Sequence, residues 1–296
     1  MITPIMSILL LVQEAYGHTH PGAMVPHGMI QPGPDTRIDG WDSCSGYYYE
    51  DTTINGFAHT RLSGTGCADF GDFLLMPTVG VQRTDFLGTE SQKRPFASAF
   101  SHEKEYAEPG YYSVFLDTYG VKAELTSTER AAMHRYTFPE SKESGFILDM
   151  DYNIQQQINQ VMEVEAVNDT VLRGRKRSAY WAYRQDLYFY AVFSKPFTYT
   201  LYTDTVQEND KQIPVCKMLL HLKRRKMNKC WLSSLSLLLM RKVLIRTSRL
   251  RCPVGILMEC VPMLRRNGMN ACQRLQSKPM MKTSVPFSIR LCIMLS

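Results

Sequence analysis

Residues 17–215 of this 296-residue chain predict an all-β fold, a β-sandwich. Three observations carry the prediction. Short runs rich in β-branched and aromatic residues recur along the segment, and turn-forming Gly, Pro, Asn and Asp separate them. The spacing of these runs is that of packed antiparallel sheets. About 200 residues are ample to bury one core.

Residues 17–56, "GHTHPGAMVPHGMIQPGPDTRIDGWDSCSGYYYEDTTING", are dense in Gly, Pro, Asp and aromatics. Pro and Gly recur too often for a helix, so the stretch reads as ordered loops and short strands that present side chains. "GFAHTRLSG" and "DFLLMPTVGV" follow as strands. "YYSVFLDTYGVKAELTSTERAAMHRYTFP" reads as a three-stranded meander with "DTYG" as one turn. "SGFILDMDYN", "QVMEVEAVNDTVLRG" and "DLYFYAVFSKPFTYTLYTD" complete the series, with "RGRKR" at 173–177 read as a solvated hairpin turn. Both faces of "DLYFYAVF" are apolar, which suits a strand in the interior of packed sheets.

The ends are written differently. Residues 17–215 hold 17 Lys and Arg against 26 Asp and Glu, whereas residues 216–296 hold 17 against a single acid, Glu259. The tail also carries six of the eight cysteines and nine of the 17 methionines. Its basic residues are scattered among Leu, Met and Cys with no helical stripe and no aromatic platform, which argues against nucleic acid as a partner. Its cysteines lack the C-x-x-C pairs of zinc sites, and "WLSSLSLLLM" is too short to span a bilayer. A frameshift accounts for such a composition, since GAT, an aspartate codon, becomes ATG when read one base late. Within codon degeneracy, "CPVGILME" (Cys252–Glu259) displaces to P-G-W-D-F-D-G, and the text from Lys217 onward displaces to N-A-T-S-L-K-T-K-E-D-E-Q-V-L-V. Residues 1–16 lack a basic n-region and a small-x-small cleavage site, so they make no convincing signal peptide. They displace to a text ending V-N-P-F-I-G-T-G-G. Both flanks, 1–16 and 216–296, are therefore expected to be out of frame, with no domain in the tail.

The most chemical stretch is "DTRIDGWDSCSGYYY". Trp41 between Asp39 and Asp42 suits a sugar: the indole packs on the apolar face of a pyranose, and carboxylates accept from its hydroxyls. A buried Trp among turn-forming Asp residues is the alternative. "FAHTRLSGTGCADFGD" sets His59 beside a Gly-rich turn, without the G-K-[ST] of a phosphate loop. His18, His20 and His27 raise metal binding, but no further placed ligand accompanies them. No carboxylate pair stands out as acid and base, and whether Cys44 pairs with Cys67 stays open.

The run from "GHTHPGAMVPHGM" to "GFAHTRLSGTGCADFGDFLLMPTVG" strongly resembles the N-terminal domain of glycoside hydrolase family 92, the calcium-dependent exo-α-mannosidases. "FSHEKEYAEPGYYSVFLDTYGVKAELTSTERAAMHRYTFP" and "YFYAVFSKPF" continue the resemblance. It implies a sandwich of the galactose-mutarotase-like supersandwich type packed on an (α/α)6 helical domain, with mannose-containing glycans as partners. It implies inverting hydrolysis by a Glu acid and an Asp base, with Ca²⁺ on the mannose hydroxyls. Those carboxylates and most of the calcium shell belong to the helical domain, so no catalytic residue and no metal ligand is assigned here, and this chain alone is expected to be inactive. The sandwich's share of the pocket carries over. Trp41 contacts substrate, and Asp39, Asp42, Cys44, His59, Ser63 and Gly64 line or support the wall. The resemblance also implies a periplasmic or secreted location. Two rival readings are a free-standing carbohydrate-binding module built on Trp41, separable by mannose calorimetry, and a nucleic-acid-binding protein using the tail, separable by salt-sensitive DNA binding.

Overall fold

A computed structural model describes residues 18–38, 40–80, 94–154, 158–208, 211–223 and 229–237; of 206–208, 211–213 and 229–237 only the backbone is described. The expectations for residues 1–16 and for 238–296 lie outside these residues.

The first strands are short: β1 (Gly33–Asp35), β2 (Thr53–Ile54) and β3 (Gly56–Ala58), then β4 (Leu74–Val79) and β5 (Ser98–Ala99). β6 (Glu105–Glu108), β7 (Tyr111–Leu116), β8 (Val121–Ser127), β9 (Ala131–Thr137) and β10 (Ser144–Asp149) follow. The longer strands are β11 (Ile158–Asn168), β12 (Val171–Ala179), β13 (Gln185–Phe193), β14 (Phe197–Glu208), β15 (Lys211–Leu222) and β16 (Lys229–Leu237). They form a six-stranded sheet ordered β1-β3-β4-β10-β15-β14 and an eight-stranded sheet ordered β11-β12-β13-β16-β9-β8-β7-β6, with β2 and β5 paired separately.

The two large sheets share one core. Phe146 of β10, fully buried, meets Tyr136 of β9 at 5.1 Å and Phe193 of β13 at 5.6 Å between ring centroids, and Phe73 meets Phe189 at 4.6 Å. Truncating a ring in such a position costs about 3–5 kcal/mol. The architecture is the expected all-β sandwich. The meander appears as β7, β8 and β9, with residues 117–120 as its first turn.

Three readings need correction. "RGRKR" is strand, inside β12. Period-2 alternation sends Arg173, Arg175 and Arg177 outward to Glu165 and Asp186, while Lys176 turns inward to Asp72 at 3.2 Å with both side chains buried. The turn lies beyond it, at residues 180–184. "DLYFYAVF" buries Leu187, Phe189, Ala191 and Phe193, but its other face is partly exposed, since only one side of this sheet meets the second layer.

The third correction concerns the boundary at 215. β15 runs through it, paired with β10 on one side and β14 on the other, and Cys216, Lys217, Met218, Leu219, Leu220 and Leu222 are buried. Met, Cys and Leu weigh toward an aberrant tail when averaged over eighty residues, yet they are also what a central strand contains. Further on, β16 fills the slot between β13 and β9, so the apolar run too short for a bilayer is long enough for a strand.

Candidate functional site

"DTRIDGWDSCSG" and "HTRLSGTG" come together at one end of the six-stranded sheet. The scaffold beneath them is Arg61. Its guanidinium is buried and ion-paired to buried Asp35, Nη2 to Oδ2 at 3.0 Å. It also donates to the carbonyls of Gln31, Gly33, Pro34, Ser45 and Ala58. Burial pushes the Asp35 carboxyl up to about 6 against the pull of Arg61 and of the Ala58 N–H. One cation thus ties β1, β3 and the loop after Trp41 into a rigid base. Gly46 lets that loop close: its φ is +88°, and a Cβ there would stand 2.1 Å from Asp35 Oδ1.

Above this base, Gly40 turns the chain at φ +97° into a short 3-10 turn, Trp41–Ser43. Trp41 is 57% exposed although the residues after it, Ser43 to Tyr47, are buried. Its indole is held edge-on by the ring of His18, with centroids 4.2 Å apart. His18 Nδ1 is 3.0 Å from Cys44 Sγ, and its carbonyl accepts the N–H of Gly64 at 2.6 Å. Trp41, Cys44 and Gly64 are therefore brought together, with His18 as the hub. Asp42 and Ser63 sit half-buried at the edge, and Asp39 lies outside the described residues. Cys44 and Cys67 are both free thiols.

His59 belongs to a different environment. It is buried between the sheets, Nε2 at 3.1 Å from His134 Nε2 and Nδ1 at 3.2 Å from the Phe73 carbonyl oxygen, and burial drives its pKa down to about 4. Both of its ring nitrogens are engaged inside the core. His18 and Arg61 escaped the sequence reading. The signal for His18 was there in "GHTHPGA", but was weighed for metal; Arg61 lay unremarked inside "HTRLSGTG".

Residues 11–224 match the family described as "Glycosyl hydrolase family 92 N-terminal domain". The chain belongs to glycosyl hydrolase family 92. The match ends at 11 and 224, outside the expected 17 and 215, which agrees with the course of β15. The family GH92 α-mannosidase BT3965 from Bacteroides thetaiotaomicron superposes with a TM-score of 0.76 at 29% identity, covering 92% of this chain and 36% of that one; it is described in complex with mannoimidazole. The family GH92 inverting mannosidase BT2199 from the same organism shares the fold, with a TM-score of 0.68 at 22% identity, over 92% of this chain and 35% of its own. An "Uncharacterized secreted glycosidase" of Arthroderma benhamiae is 35% identical over 124 residues, 42% of this chain and 16% of that protein. This family 92 chain thus spans little more than a third of the length of its solved relatives.

A calcium shell, which the family resemblance implies, would need uncommitted carboxylates. Asp35 is committed to Arg61, Asp72 to Lys176 and Thr60, Asp69 to Gln185, and Asp51 to Arg37. Among the described residues no group of three or more His, Cys, Asp or Glu gathers as a metal would need. The described residues do not fit a calcium shell. No helix among them is long and apolar enough to cross a membrane.

Proposed function

We propose that this chain is the sandwich half of a family 92 exo-α-mannosidase, and that it supplies one wall of the pocket for a terminal α-linked mannose. The observation that carries the reading is Trp41: a large indole left 57% exposed on a base locked by a buried Arg61–Asp35 pair. Leaving an aromatic in water on so rigid a base makes physical sense when a ligand covers it, and the apolar face of a pyranose fits an indole. Asp42 and Ser63 supply polar groups at the rim. The acid and base of inverting hydrolysis would come from the helical half, so the isolated chain would hold sugar without cleaving it. A secreted or periplasmic setting agrees with the substrate.

This reading puts a change of reading frame beyond Lys223, where the family match ends at residue 224; the pairing of β16 farther on is described for its backbone alone, which does not depend on the side chains. Up to Leu222 the strand is filled by buried side chains, and beyond it the text turns basic with Arg224, Arg225 and Lys226. The nucleotide sequence across codons 224–260 tests this: stop codons in the displaced frame would refute it.

Calorimetry with mannose tests the function. A half-site retains only part of the binding energy. Weak binding, on the order of millimolar, that disappears in Trp41→Ala and is accompanied by no mannose release from α-mannobiose is the expected result. Tight binding by the chain alone would favour a self-sufficient carbohydrate-binding module. Mannose release would show a complete active site here. Absent or Trp41-independent binding would overturn the reading.

A further inference from the structure

His18 is held more tightly than a residue at a loop start needs to be. Its backbone adopts φ +51°, a left-handed conformation that costs a non-glycine residue free energy. The cost is offset by the Gly64 N–H on its carbonyl and by the Trp41 edge against its ring. What this arrangement secures is the direction of the imidazole. Nδ1 faces inward to Cys44 Sγ at 3.0 Å. The Cys44 side chain is 1% exposed, and burial pushes its thiol up to about 11, so at neutral pH it carries its proton. A protonated thiol can donate to an imidazole nitrogen or accept from its N–H, and where it donates Nδ1 is the acceptor. The remaining ring proton then sits on Nε2.

Nε2 and the indole Nε1 of Trp41 both border Gly66. A Cβ at Gly66 would stand 3.9 Å from His18 Nε2 and 3.5 Å from Trp41 Nε1, and its φ of +67° favours glycine in any case. The exposed indole of Trp41 and the Nε2 edge of His18, itself 9% exposed, therefore meet at Gly66.

We propose that His18 is a specificity-determining residue of the Trp41 pocket, donating from Nε2–H to a hydroxyl oxygen of a neutral hexopyranose, and that Cys44 is the positioning residue that sets its tautomer. This rests on the reading of Trp41 as a sugar platform and adds to it the residue that recognises hydroxyl geometry. Cys44 acts through His18 and touches no sugar. With its S–H directed at Nδ1, the thiol favours the neutral ring that carries its proton on Nε2.

The test is nitrogen-15 NMR of the histidine rings in the full chain, with and without mannose, alongside calorimetry of Cys44→Ala and Cys44→Ser. The expected result is a uniform Nε2–H tautomer for His18 in the free protein and a shift of its Nε2 on adding mannose. Cys44→Ala should give mixed tautomers and roughly tenfold weaker binding, the loss of about one hydrogen bond; Cys44→Ser, whose hydroxyl donates from the same place, should restore both. If Cys44→Ala fails to fold, the ring spectra of the unaltered protein decide alone. An Nδ1–H tautomer, or Trp41-dependent binding that leaves the His18 ring unmoved, would overturn the role of His18 while leaving the Trp41 reading intact. Binding that ignores Trp41, or no binding, would bring down both.

Discussion

Lys217 Nζ stands 3.4 Å from Asp151 Oδ2, with the lysine side chain fully buried and the carboxylate nearly so. Asp149 and Arg94 complete the group, Arg94 Nε lying 3.3 Å from Asp149 Oδ2. Burial, and then the neighbouring Asp149, raise the Asp151 carboxyl to about 7, and Lys217 and Arg94 pull against them. An ammonium in such a place is tolerable only with its partners, because an unpaired buried charge loses its hydration for nothing.

Lys217→Met is therefore expected to cost about 3–5 kcal/mol, since it leaves two buried carboxylates to Arg94 alone. The exposed Lys223→Met, six positions on in the same basic stretch, should shift stability by less than about 0.5 kcal/mol. Urea denaturation separates them. Equal, small effects would place residues from 216 onward outside the core.

Arg61→Met should be as damaging, about 3–5 kcal/mol, because Asp35 and five carbonyls lose their donor together. Arg61→Lys should recover little, since an ammonium has three donors and no planar fork. Trp41 fluorescence should report loosening of the rim in both variants before global unfolding.

His59 and His134 make an acid-labile joint between the sheets. Burial depresses both, His59 from 6.5 to about 4. A histidine with a lowered folded pKa binds its proton more readily when unfolded, so stability falls as pH drops from about 6.5 toward 4. A melting-temperature series over that window should flatten in His134→Gln. An unchanged slope would contradict the assignment.

His102 works in the opposite sense. Its Nδ1 meets Glu105 Oε2 at 2.6 Å and its Nε2 meets the Tyr49 carbonyl oxygen at 2.6 Å, so both nitrogens face acceptors and the imidazolium satisfies both. The Glu105 hydrogen bond raises its pKa above 6.5. This contribution is complete below about 6.5 and is lost as pH rises through the raised value. NMR titration of the His102 ring should show the elevation, and His102→Gln should abolish the alkaline decline.

Legibility followed locality. The meander could be read because residues 117–120 form a turn whose chemistry is local, and β7 to β9 pair with their sequence neighbours. The sandwich class followed from composition in the same way, whereas composition left Trp41 open between an exposed sugar platform and a buried ring. Lys176 and Lys217 could not be read, because a lysine turned inward is indistinguishable in a basic run until strands 24 or more residues away supply its carboxylates or carbonyls. Arg61 was hidden for the same reason: its acceptors lie across 16 to 30 residues, apart from Ala58. The inward burial of His59 could not be read either, because its partners His134 and the Phe73 carbonyl lie 75 and 14 residues away.

The most direct measurement is a crystal structure of the chain soaked with methyl α-mannoside. The pyranose ring is expected to lie against the exposed indole of Trp41, with one hydroxyl oxygen within hydrogen-bond distance of His18 Nε2. A sugar bound elsewhere, for instance on the exposed Trp181 and Tyr183 beyond β12, with the Trp41 surface bare, would contradict it.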